Sequence, residues 1–236
     1  MHSVNKRERG VHFPQIQMVV IAVDGPAASG KGTLCKRIAR ELELAHLDTG
    51  SLYRATALRV MRQGPLKPDI DRIIPGAAAA AMAITPEDLQ DANIRSELVG
   101  HNASLVSADH TVRKALLDFQ RLFAQSPPDG VRGVVMDGRD VGTVVCPAAS
   151  VKLYVTADLS IRAERRYKEL CASGKDVDFD QVKNDMQQRD HRDATRTLAP
   201  LCAAVDAFTI DTSDLNSEET VAVAMDHIRH KIPGMC

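Results

Sequence analysis

Residues 18–33 constrain this chain more than any other stretch. They begin as an unbroken apolar run that ends at Asp24, continue through a short turn between Gly25 and Gly30, and lead into apolar residues repeated every four positions from Leu34. A run rich in β-branched residues is typical of a strand buried on both faces, as in a parallel sheet. The stretch therefore predicts a strand, a glycine loop and a helix, in that order.

The glycine loop predicts a phosphate-binding site, and an ordinary glycine-rich turn between a strand and a helix is the alternative. Without a Cβ atom, Gly25 and Gly30 let the loop curl and aim successive backbone N–H groups inward. The N-terminus of the following helix adds partial positive charge. Lys31 adds a full charge that can reach terminal phosphates. The predicted phosphate-binding residues are Gly25, Pro26, Ala27, Ala28, Ser29, Gly30, Lys31, Gly32 and Thr33.

Bulk composition gives no support to several other classes of protein. The 236 residues carry a formal net charge of -1, aromatic residues make up 3% of them, and Trp is absent. We therefore expect neither nucleic acid nor a membrane surface as a partner. Apolar runs fall short of the roughly 20 residues needed to span a bilayer. Residues 1–17 are polar and basic without the apolar core of a secretory signal, and predict a flexible N-terminal extension.

The cysteines and histidines predict neither a disulfide framework nor a metal site. The five cysteines are scattered singly, without a Cys-x-x-Cys pair or zinc-type spacing. An odd number of cysteines fits a reducing compartment, so we predict a cytoplasmic protein. His46 is expected to be a packed or partly exposed residue, because no second metal-type residue lies near it in sequence.

The remaining hydrophobic pattern predicts an α/β fold. Further strands are predicted at 45–47, 134–137, 151–155 and 207–210, and helices at 51–62, 76–82, 94–124, 180–195 and 217–231, with another between residues 155 and 174. Five strands that alternate with helices predict three layers around a central parallel sheet.

An acidic residue closes the third predicted strand, and a charged block follows it directly. Asp137 ends the strand, and Arg139 and Asp140 come next. Because ligands of open α/β sheets bind at the carboxyl ends of the strands, Asp137 is a candidate Mg²⁺ ligand. A strand-capping carboxylate with a neighbouring salt bridge is the alternative.

Two consecutive helices after the fourth strand carry many charges. The first has Arg162, Arg165 and Arg166 at spacings of three and four, which predicts one helical face. The second has Arg189 and Asp193, and also Arg192 and Arg196, four residues apart. A solvated charged face is the usual explanation of such runs. A helical hairpin that covers bound phosphates is the interpretation we favour.

These blocks together resemble the bacterial cytidylate kinases, a family of P-loop nucleoside monophosphate kinases. The resemblance covers about residues 18–230, and the Gly-Lys-Gly-Thr version of the phosphate loop is similar to that of nucleoside monophosphate kinases. The phosphate loop alone indicates only the superfamily. The blocks Asp-Gly-Arg-Asp-x-Gly-Thr-Val-Val at 137–145 and Arg-Asp-x-Arg-Asp at 189–193 are specific to the family.

The resemblance implies a P-loop NTPase fold with a small nucleotide-binding insertion and a short lid. The implied division is a core of 18–62 and 125–236, a nucleoside-monophosphate-binding region of 63–124 and a lid of about 160–195. Long members of the family insert a small β-sheet in the monophosphate-binding region. Residues 83–93 are short and lack a strand pattern, so we expect that region to be abbreviated.

The resemblance also implies a role for individual residues. The CMP phosphate would be bound by Arg54, Arg139 and Arg196 with Thr49, the cytosine by Ser104, Arg113 and Asp140, and the ribose by Arg189 and Asp193. Asp137 is included with the CMP-binding set. The implied arginines on the ATP side are Arg162, Arg165 and Arg166. The implied catalytic residues are Lys31, Arg139, Arg162, Arg166 and Arg196.

The chemistry of cytosine agrees with these assignments. Cytosine offers an amino donor at N4, which a carboxylate such as Asp140 can accept. Arg113 can donate to the acceptors N3 and O2, and Ser104 can do either. Uracil reverses the donor pattern at N3 and C4, so Asp140 would face an acceptor. Phosphates favour planar bidentate donors, which suits arginine rather than lysine in the acceptor site.

The implied reaction is transfer of the γ-phosphoryl group of ATP to CMP or dCMP, giving ADP and CDP or dCDP. Mg²⁺ is expected with ATP, through Thr33 or Asp137. Two alternatives remain: a kinase for another monophosphate such as UMP or AMP, and a non-catalytic nucleotide-dependent switch. Since no apolar interface is evident, we expect a monomer.

Overall fold

The computed structural model describes residues 18–67, 74–128 and 130–234. The predicted N-terminal extension, residues 1–17, lies outside the described residues. The strands are Val19–Asp24 (β1), Ala45–Asp48 (β2), Gly133–Gly138 (β3), Val151–Thr156 (β4) and Phe208–Asp211 (β5). The helices are Lys31–Leu42 (α1), Thr49–Met61 (α2), Ala77–Met82 (α3), Pro86–Gln90 (α4), Glu97–Val106 (α5), His110–Gln125 (α6), Leu159–Ala172 (α7), Phe179–Thr195 (α8) and Ser217–Lys231 (α9).

The five strands form one parallel sheet in the order β2-β3-β1-β4-β5. This arrangement confirms the predicted fold class. β1 lies at the centre, between β3 and β4, so the loop that follows it opens at the middle of the sheet's carboxyl edge. The predicted Asp137 ends the neighbouring strand β3, where it pairs in register with Val23 of β1 and Asp48 of β2. The sheet order therefore brings the phosphate loop and the charged block after β3 together.

Alternating side chains of the central strands build two separate hydrophobic layers. Ile21 and Val23 pack on one face of the sheet, with α1 and α9. Ala22 points to the other face, where α2, α3, α5 and α6 cover the sheet. Because both faces are covered, β1 and β3 can be apolar along their whole length, as expected for a buried parallel sheet. A third, smaller cluster joins α7 to α8, with Leu170 and Met186 among its buried residues.

The single long helix predicted over 94–124 is wrong. The structure divides it into a 3₁₀ turn, Ala92–Arg95, followed by α5 and α6. Asp109 makes the break, because its carboxylate accepts hydrogen bonds from the backbone N–H groups of Thr111 and Val112 and caps α6. It also accepts one from the distant N–H of Ile74, at 2.6 Å. The break leaves Leu98 and Phe119, two apolar positions of the predicted helix, 63% and 46% exposed.

Residues 83–93, all of which the structure describes, form no strand, in agreement with the missing strand pattern in their sequence. This stretch holds the five-residue helix α4 and the first residues of the 3₁₀ turn. Thr85 starts α4 with a reciprocal capping box to Asp88. Among the described helices, none is long and apolar enough to cross a membrane.

The helical hairpin α7–α8 forms where the sequence predicted it. Gly174, with a φ of +80°, follows the end of α7, and Asp178 caps α8 by accepting from the N–H of Gln181. The side chain of Gln181 bonds Asp185 instead of closing a capping box. Tyr167 and Phe179 meet edge-to-face across the hairpin, with ring centroids 5.8 Å apart. The hairpin therefore has a small core of its own beside the cleft.

Candidate active site

The carboxyl ends of β1 and β3 open into one cleft of about 1060 Å³. The phosphate loop, the start of α2, helices α5 and α8 and the loop after β3 form its walls. The cleft brings together most of the predicted site residues. These are Ala27, Ala28, Ser29, Gly30, Lys31, Gly32, Thr33, Thr49, Arg54, Ser104, Arg113, Asp137, Arg139, Asp140, Arg166, Arg189, Asp193 and Arg196.

The phosphate loop is held tightly against the sheet at its start. Gly25 has a φ of +153°, and a Cβ atom there would lie 2.0 Å from the carbonyl oxygen of Val155. The requirement for glycine is therefore steric as well as conformational. Further along, Ala28 and Gly30 have φ values of +57° and +88°. This curled backbone leads directly into α1, whose first N–H groups point into the cleft as an anion-binding terminus.

Lys31 is the first residue of α1 and is almost fully buried. Its Nζ donates a 2.9 Å hydrogen bond to the backbone carbonyl of Pro26. Burial, followed by the positive charge of Arg139, lowers the pKa of Lys31 to about 7. A phosphate group beside this ammonium would favour its charged form and reverse the shift. The lysine is thus held inside the loop with an energetic preference for an anionic ligand.

Two buried polar atoms in the cleft lack a hydrogen-bond partner among the described residues. They are the Oγ of Ser29, in the phosphate loop, and the Nε of Arg189, on α8. Burial, and then the nearby Arg139, lower the pKa of Arg189 to about 10. Buried polar groups are normally paired, so both atoms are suited to a polar ligand that enters from the cleft.

Asp24 ties the phosphate loop to the loop after β3. Its two carboxylate oxygens accept hydrogen bonds from the N–H groups of Val141 and Gly142, at 2.8 and 2.7 Å. Burial raises the pKa of Asp24 to about 6, although both hydrogen bonds oppose the shift. The sequence identified Asp24 only as the end of a strand. An acidic residue at the end of a buried strand, as also seen at Asp137, was the available signal.

Arg139 connects the loop after β3 to helix α8. Its Nε donates to Asp193 at 2.9 Å. Burial alone would raise the pKa of Asp193, but Arg139 and Arg189 outweigh it and hold the pKa below its usual value. Asp193 therefore takes its hydrogen bond from Arg139, and Arg189, four residues earlier on the same helix, contributes only through its charge.

Asp140 is the centre of a second buried charge cluster. One of its oxygens accepts from Arg113 and the other from Arg196, the latter at 3.5 Å. Arg113 also lies over the ring of Tyr53, with its Cζ 5.7 Å from the ring centroid. Burial, followed by the charge of Arg113, lowers the pKa of Arg196. The predicted base-contacting pair Arg113 and Asp140 is thus a preformed ion pair, and Tyr53 is a supporting residue that sequence reasoning missed.

The hydroxyl residues of the predicted acceptor site lie at the edges of these clusters. Ser104, on α5, receives a 3.4 Å hydrogen bond from the Nε of Arg192, on α8. Thr49, at the start of α2, donates to the backbone carbonyl of Asp137 at 2.8 Å. Arg54 faces the cleft with its guanidinium 3.4 Å from Asp48.

The three arginines of α7 start from one face of the helix, as their spacing predicts, but their side chains have different partners. Arg162 is buried and donates to the carbonyl of Ala27, at 3.3 Å, and to Asp190, at 2.7 Å. Arg165 turns towards Thr212, whose hydroxyl in turn donates to the carbonyl of Ser29. Arg166 reaches the cleft, where it pairs with Glu97 and Glu169. Arg162 and Arg165 therefore support the phosphate loop from behind, and Arg166 alone of the three lines the cleft.

Asp137 has two oxygens available to different partners. Its Oδ1 lies 2.7 Å from the Nε2 of His46. Its Oδ2 faces Gly32, where a Cβ atom would be 3.9 Å away. The prediction that His46 has no metal-type neighbour is wrong, because the sheet brings Asp137 and Cys35 next to it. Asp137 therefore has a close hydrogen-bonding neighbour in His46, and its second oxygen faces the start of α1.

Comparisons with known proteins point to one family. A family model described as Cytidylate kinase matches residues 21–230. A cytidylate kinase of Rhodospirillum rubrum is 48% identical over 213 residues, which cover 90% of this chain and 98% of that protein. A cytidylate kinase of Paramagnetospirillum magneticum is 48% identical, over 90% of this chain and 98% of the relative. One of Rhodopseudomonas palustris (strain BisB18) is 50% identical, over 88% and 94%.

Proposed function

The chain belongs to the cytidylate kinase family, and from this premise we propose how its cleft transfers the γ-phosphoryl group of ATP to CMP or dCMP, giving ADP and CDP or dCDP. The observation that carries the proposal is that one cleft holds both the phosphate loop and a cluster of arginines opposite it. Arg139 is close enough to Lys31 to lower its pKa. A nucleotide-dependent switch needs only the first of these two sites.

The acceptor phosphate is bound by Arg54, Arg139 and Arg196, with the hydroxyl of Thr49 beside them. Planar guanidinium groups can donate two parallel hydrogen bonds to one phosphate. Arg196 is buried, Arg139 is half-buried, and carboxylates fix both, which supports a preorganised site. Arg54 is more exposed, and we assign it to the outer side of the same phosphate.

The nucleoside is selected by residues on both sides of the acceptor cleft. Asp140 accepts from N4 of cytosine, Arg113 donates to N3 or O2, and Ser104 adds a further contact. Arg189 and Asp193 contact the ribose, consistent with the unpaired Nε of Arg189 among the described residues. The existing pair between Arg113 and Asp140 supports this assignment, because it holds both groups in position before the base arrives.

The donor nucleotide occupies the phosphate loop from Gly25 to Thr33. Arg166 lines the cleft, and we assign it to the transferring phosphoryl group together with Lys31 and Arg139. Arg162 contacts the loop carbonyl of Ala27 and can exchange that contact for a phosphate when the hairpin shifts. We assign Arg165 to the donor side because it contacts Thr212, which in turn donates to the carbonyl of Ser29 in the phosphate loop. We further propose that 160–195 acts as the lid, 63–124 as the monophosphate-binding region, and the rest of 18–236 as the core.

The chemistry needs positioning more than proton transfer. The attacking oxygen of the acceptor phosphate is already anionic, so no strong general base is required. Catalysis then depends on alignment and on neutralising the charge of the transferring group. Water must be excluded, since it would otherwise hydrolyse ATP. When the lid closes, the hydrogen bond from Arg139 to Asp193 holds it against the core. Closure then excludes water and completes the site in one step.

A divalent metal accompanies ATP in this kind of reaction, and we propose that it is Mg²⁺. When bound, it neutralises charge on the donor phosphates. Mg²⁺ prefers oxygen ligands, and the residues present fit that preference. The Oδ2 of Asp137 faces Gly32, and Thr33, with its hydroxyl, lines the same cleft. Asp137 and Thr33 are therefore the residues that would hold it, directly or through water.

The first test is release of ADP from Mg-ATP in a coupled assay, with CMP, dCMP, UMP, AMP or no acceptor. We expect fast turnover with CMP and dCMP and little with the other acceptors. Comparable rates with UMP would contradict the assigned base contacts. ATP binding without any acceptor-dependent turnover would contradict phosphoryl transfer and favour the switch.

An Asp140→Asn variant tests base selection within the same assay. The amide nitrogen of Asn would face the N4 amino donor of cytosine, whereas it could donate to O4 of uracil. A hydrogen bond to a charged group contributes about 1.5–3 kcal/mol, so we expect kcat/KM for CMP to fall roughly 10- to 100-fold. The preference for CMP over UMP should narrow by at least the same factor. An unchanged CMP/UMP ratio would remove Asp140 from the base contacts.

A further inference from the structure

Three residues of different chemical types meet just behind the phosphate loop. They are Cys35 on α1, His46 on β2 and Asp137 at the end of β3. One ligand atom from each, namely Sγ, a ring nitrogen and a carboxylate oxygen, lies within 4.8 Å of the other two. Of these atoms, Nε2 of His46 and Oδ1 of Asp137 are already 2.7 Å apart. Neither Cys35 nor His46 has a part in the phosphoryl transfer described above.

The spacing of this cluster fits a small tetrahedral metal ion. A zinc ion with bonds of about 2.0–2.3 Å holds its ligand atoms about 3.3–3.6 Å from one another. To reach that geometry, His46 and Asp137 must separate slightly and Cys35 must approach. All three residues lie on regular elements, namely α1, β2 and β3.

The chemistry of the three ligands selects against Mg²⁺ and Ca²⁺. A thiolate and an imidazole are preferred by zinc and similar transition metals, whereas the hard cations take oxygen ligands. Two further carboxylates, Asp24 and Asp48, lie close enough for their negative charges to act on the thiol of Cys35. They favour a cation at this position. The ammonium of Lys31 opposes it, but is turned towards the carbonyl of Pro26.

The cluster is also accessible. His46 and Asp137 both line the cleft, so a cation can reach them from solvent and keep a fourth position for water. Cys35 is fully buried beneath them and would complete the inner side. This is the arrangement of three protein ligands and one open position found at zinc sites that bind an exchangeable ligand.

We propose that Cys35, His46 and Asp137 form a binding site for one divalent cation of the zinc class. On binding, the thiol of Cys35 releases its proton to solvent as the sulfur–metal bond forms. The proton that Nε2 of His46 shares with Asp137 moves to Nδ1 of the same ring, and the cation takes its place between the two side chains. The bound ion links α1, β2 and β3. Because the ion binds the folded chain and not the unfolded chain, its binding raises the thermal stability of the protein.

The test uses Co²⁺ as a spectroscopic probe for zinc on the full chain, freed of metal by a chelator. One equivalent of Co²⁺ should produce visible bands of a tetrahedral site and a thiolate-to-cobalt charge-transfer band, and Zn²⁺ should displace both. The melting temperature should rise with added Zn²⁺. Because the readout is binding rather than turnover, its outcome is separate from that of the proposed kinase mechanism.

Three variants decide whether the cluster is responsible. Cys35→Ser should abolish the charge-transfer band, and His46→Gln should weaken Co²⁺ binding by roughly tenfold or more. Cys171→Ser, at an exposed cysteine of α7, is the matched control and should leave both unchanged. Retention of the thiolate band in Cys35→Ser, its loss in Cys171→Ser, or its absence from the wild-type chain would overturn the proposal.

Discussion

Replacement of Arg139 by alanine should lower kcat by about 10²- to 10³-fold, as removal of a preorganised donor to a developing charge does. Arg139 follows β3, its charge acts on Lys31 of the phosphate loop, and its Nε donates to Asp193 of α8. Its loss removes a positive charge from the centre of the cleft. We expect KM for ATP to change less than kcat, because Lys31 and the backbone of the phosphate loop still bind the donor. Steady-state kinetics with both substrates varied measures this.

The same variant removes the hydrogen-bond partner of a buried carboxylate, and the resulting loss of stability must be separated from the loss of catalysis. Asp193 loses its hydrogen-bond partner and keeps only the nearby charges of Arg189 and Arg196, and breaking a buried pair in this way costs up to about 3–5 kcal/mol of stability. The double variant Arg139→Ala/Asp193→Asn removes the stranded charge and should recover most of the melting temperature without recovering kcat. Recovery of both together would mean that Arg139 acts only as a structural partner of Asp193. Arg139→Lys should give intermediate activity, because it keeps the charge but not the planar fork.

Replacement of Lys31 by methionine should lower kcat by roughly 10²- to 10³-fold and leave the melting temperature unchanged or raised. Burial lowers the pKa of Lys31 to about 7 in the folded chain, below its value in the unfolded chain. Between these two pKa values the unfolded state binds more protons, so this group makes stability rise with pH from about 7 upwards. The charged lysine therefore opposes folding most strongly below pH 7. The stabilisation by methionine should be largest there and shrink towards pH 10.

The pH dependence of kcat/KM in the wild-type enzyme provides a second test of the role of Lys31. Since kcat/KM reports ionisations of the free enzyme, kcat/KM for ATP should fall as pH rises above about 7. In Lys31→Met this decline should disappear. Lys114→Met, at an exposed lysine of α6, is the matched control and should preserve activity and pH profile. Wild-type turnover in Lys31→Met would contradict the assigned role.

The order of the elements could be derived from the sequence because its signals are local. The apolar run, the glycines and the apolar residues repeated every four positions from Leu34 each act over a few residues, and they predicted β1, the phosphate loop and α1 in the order that the structure shows. The motif blocks likewise named the arginines and carboxylates that line the cleft. The long helix over 94–124 failed for the opposite reason, because Asp109 ends it partly through a hydrogen bond to the distant Ile74.

The partners of the site residues were decided by the tertiary structure alone. Asp24 bonds a loop 117 residues away, Arg139 pairs with Asp193 across 54 residues, and His46 meets Asp137 across 91. Sequence spacing does not reveal these pairs, because the parallel sheet and the helices packed on it join residues that are far apart along the chain. Residue types determined which chemistry this protein could carry, and the strand order determined which of those residues meet.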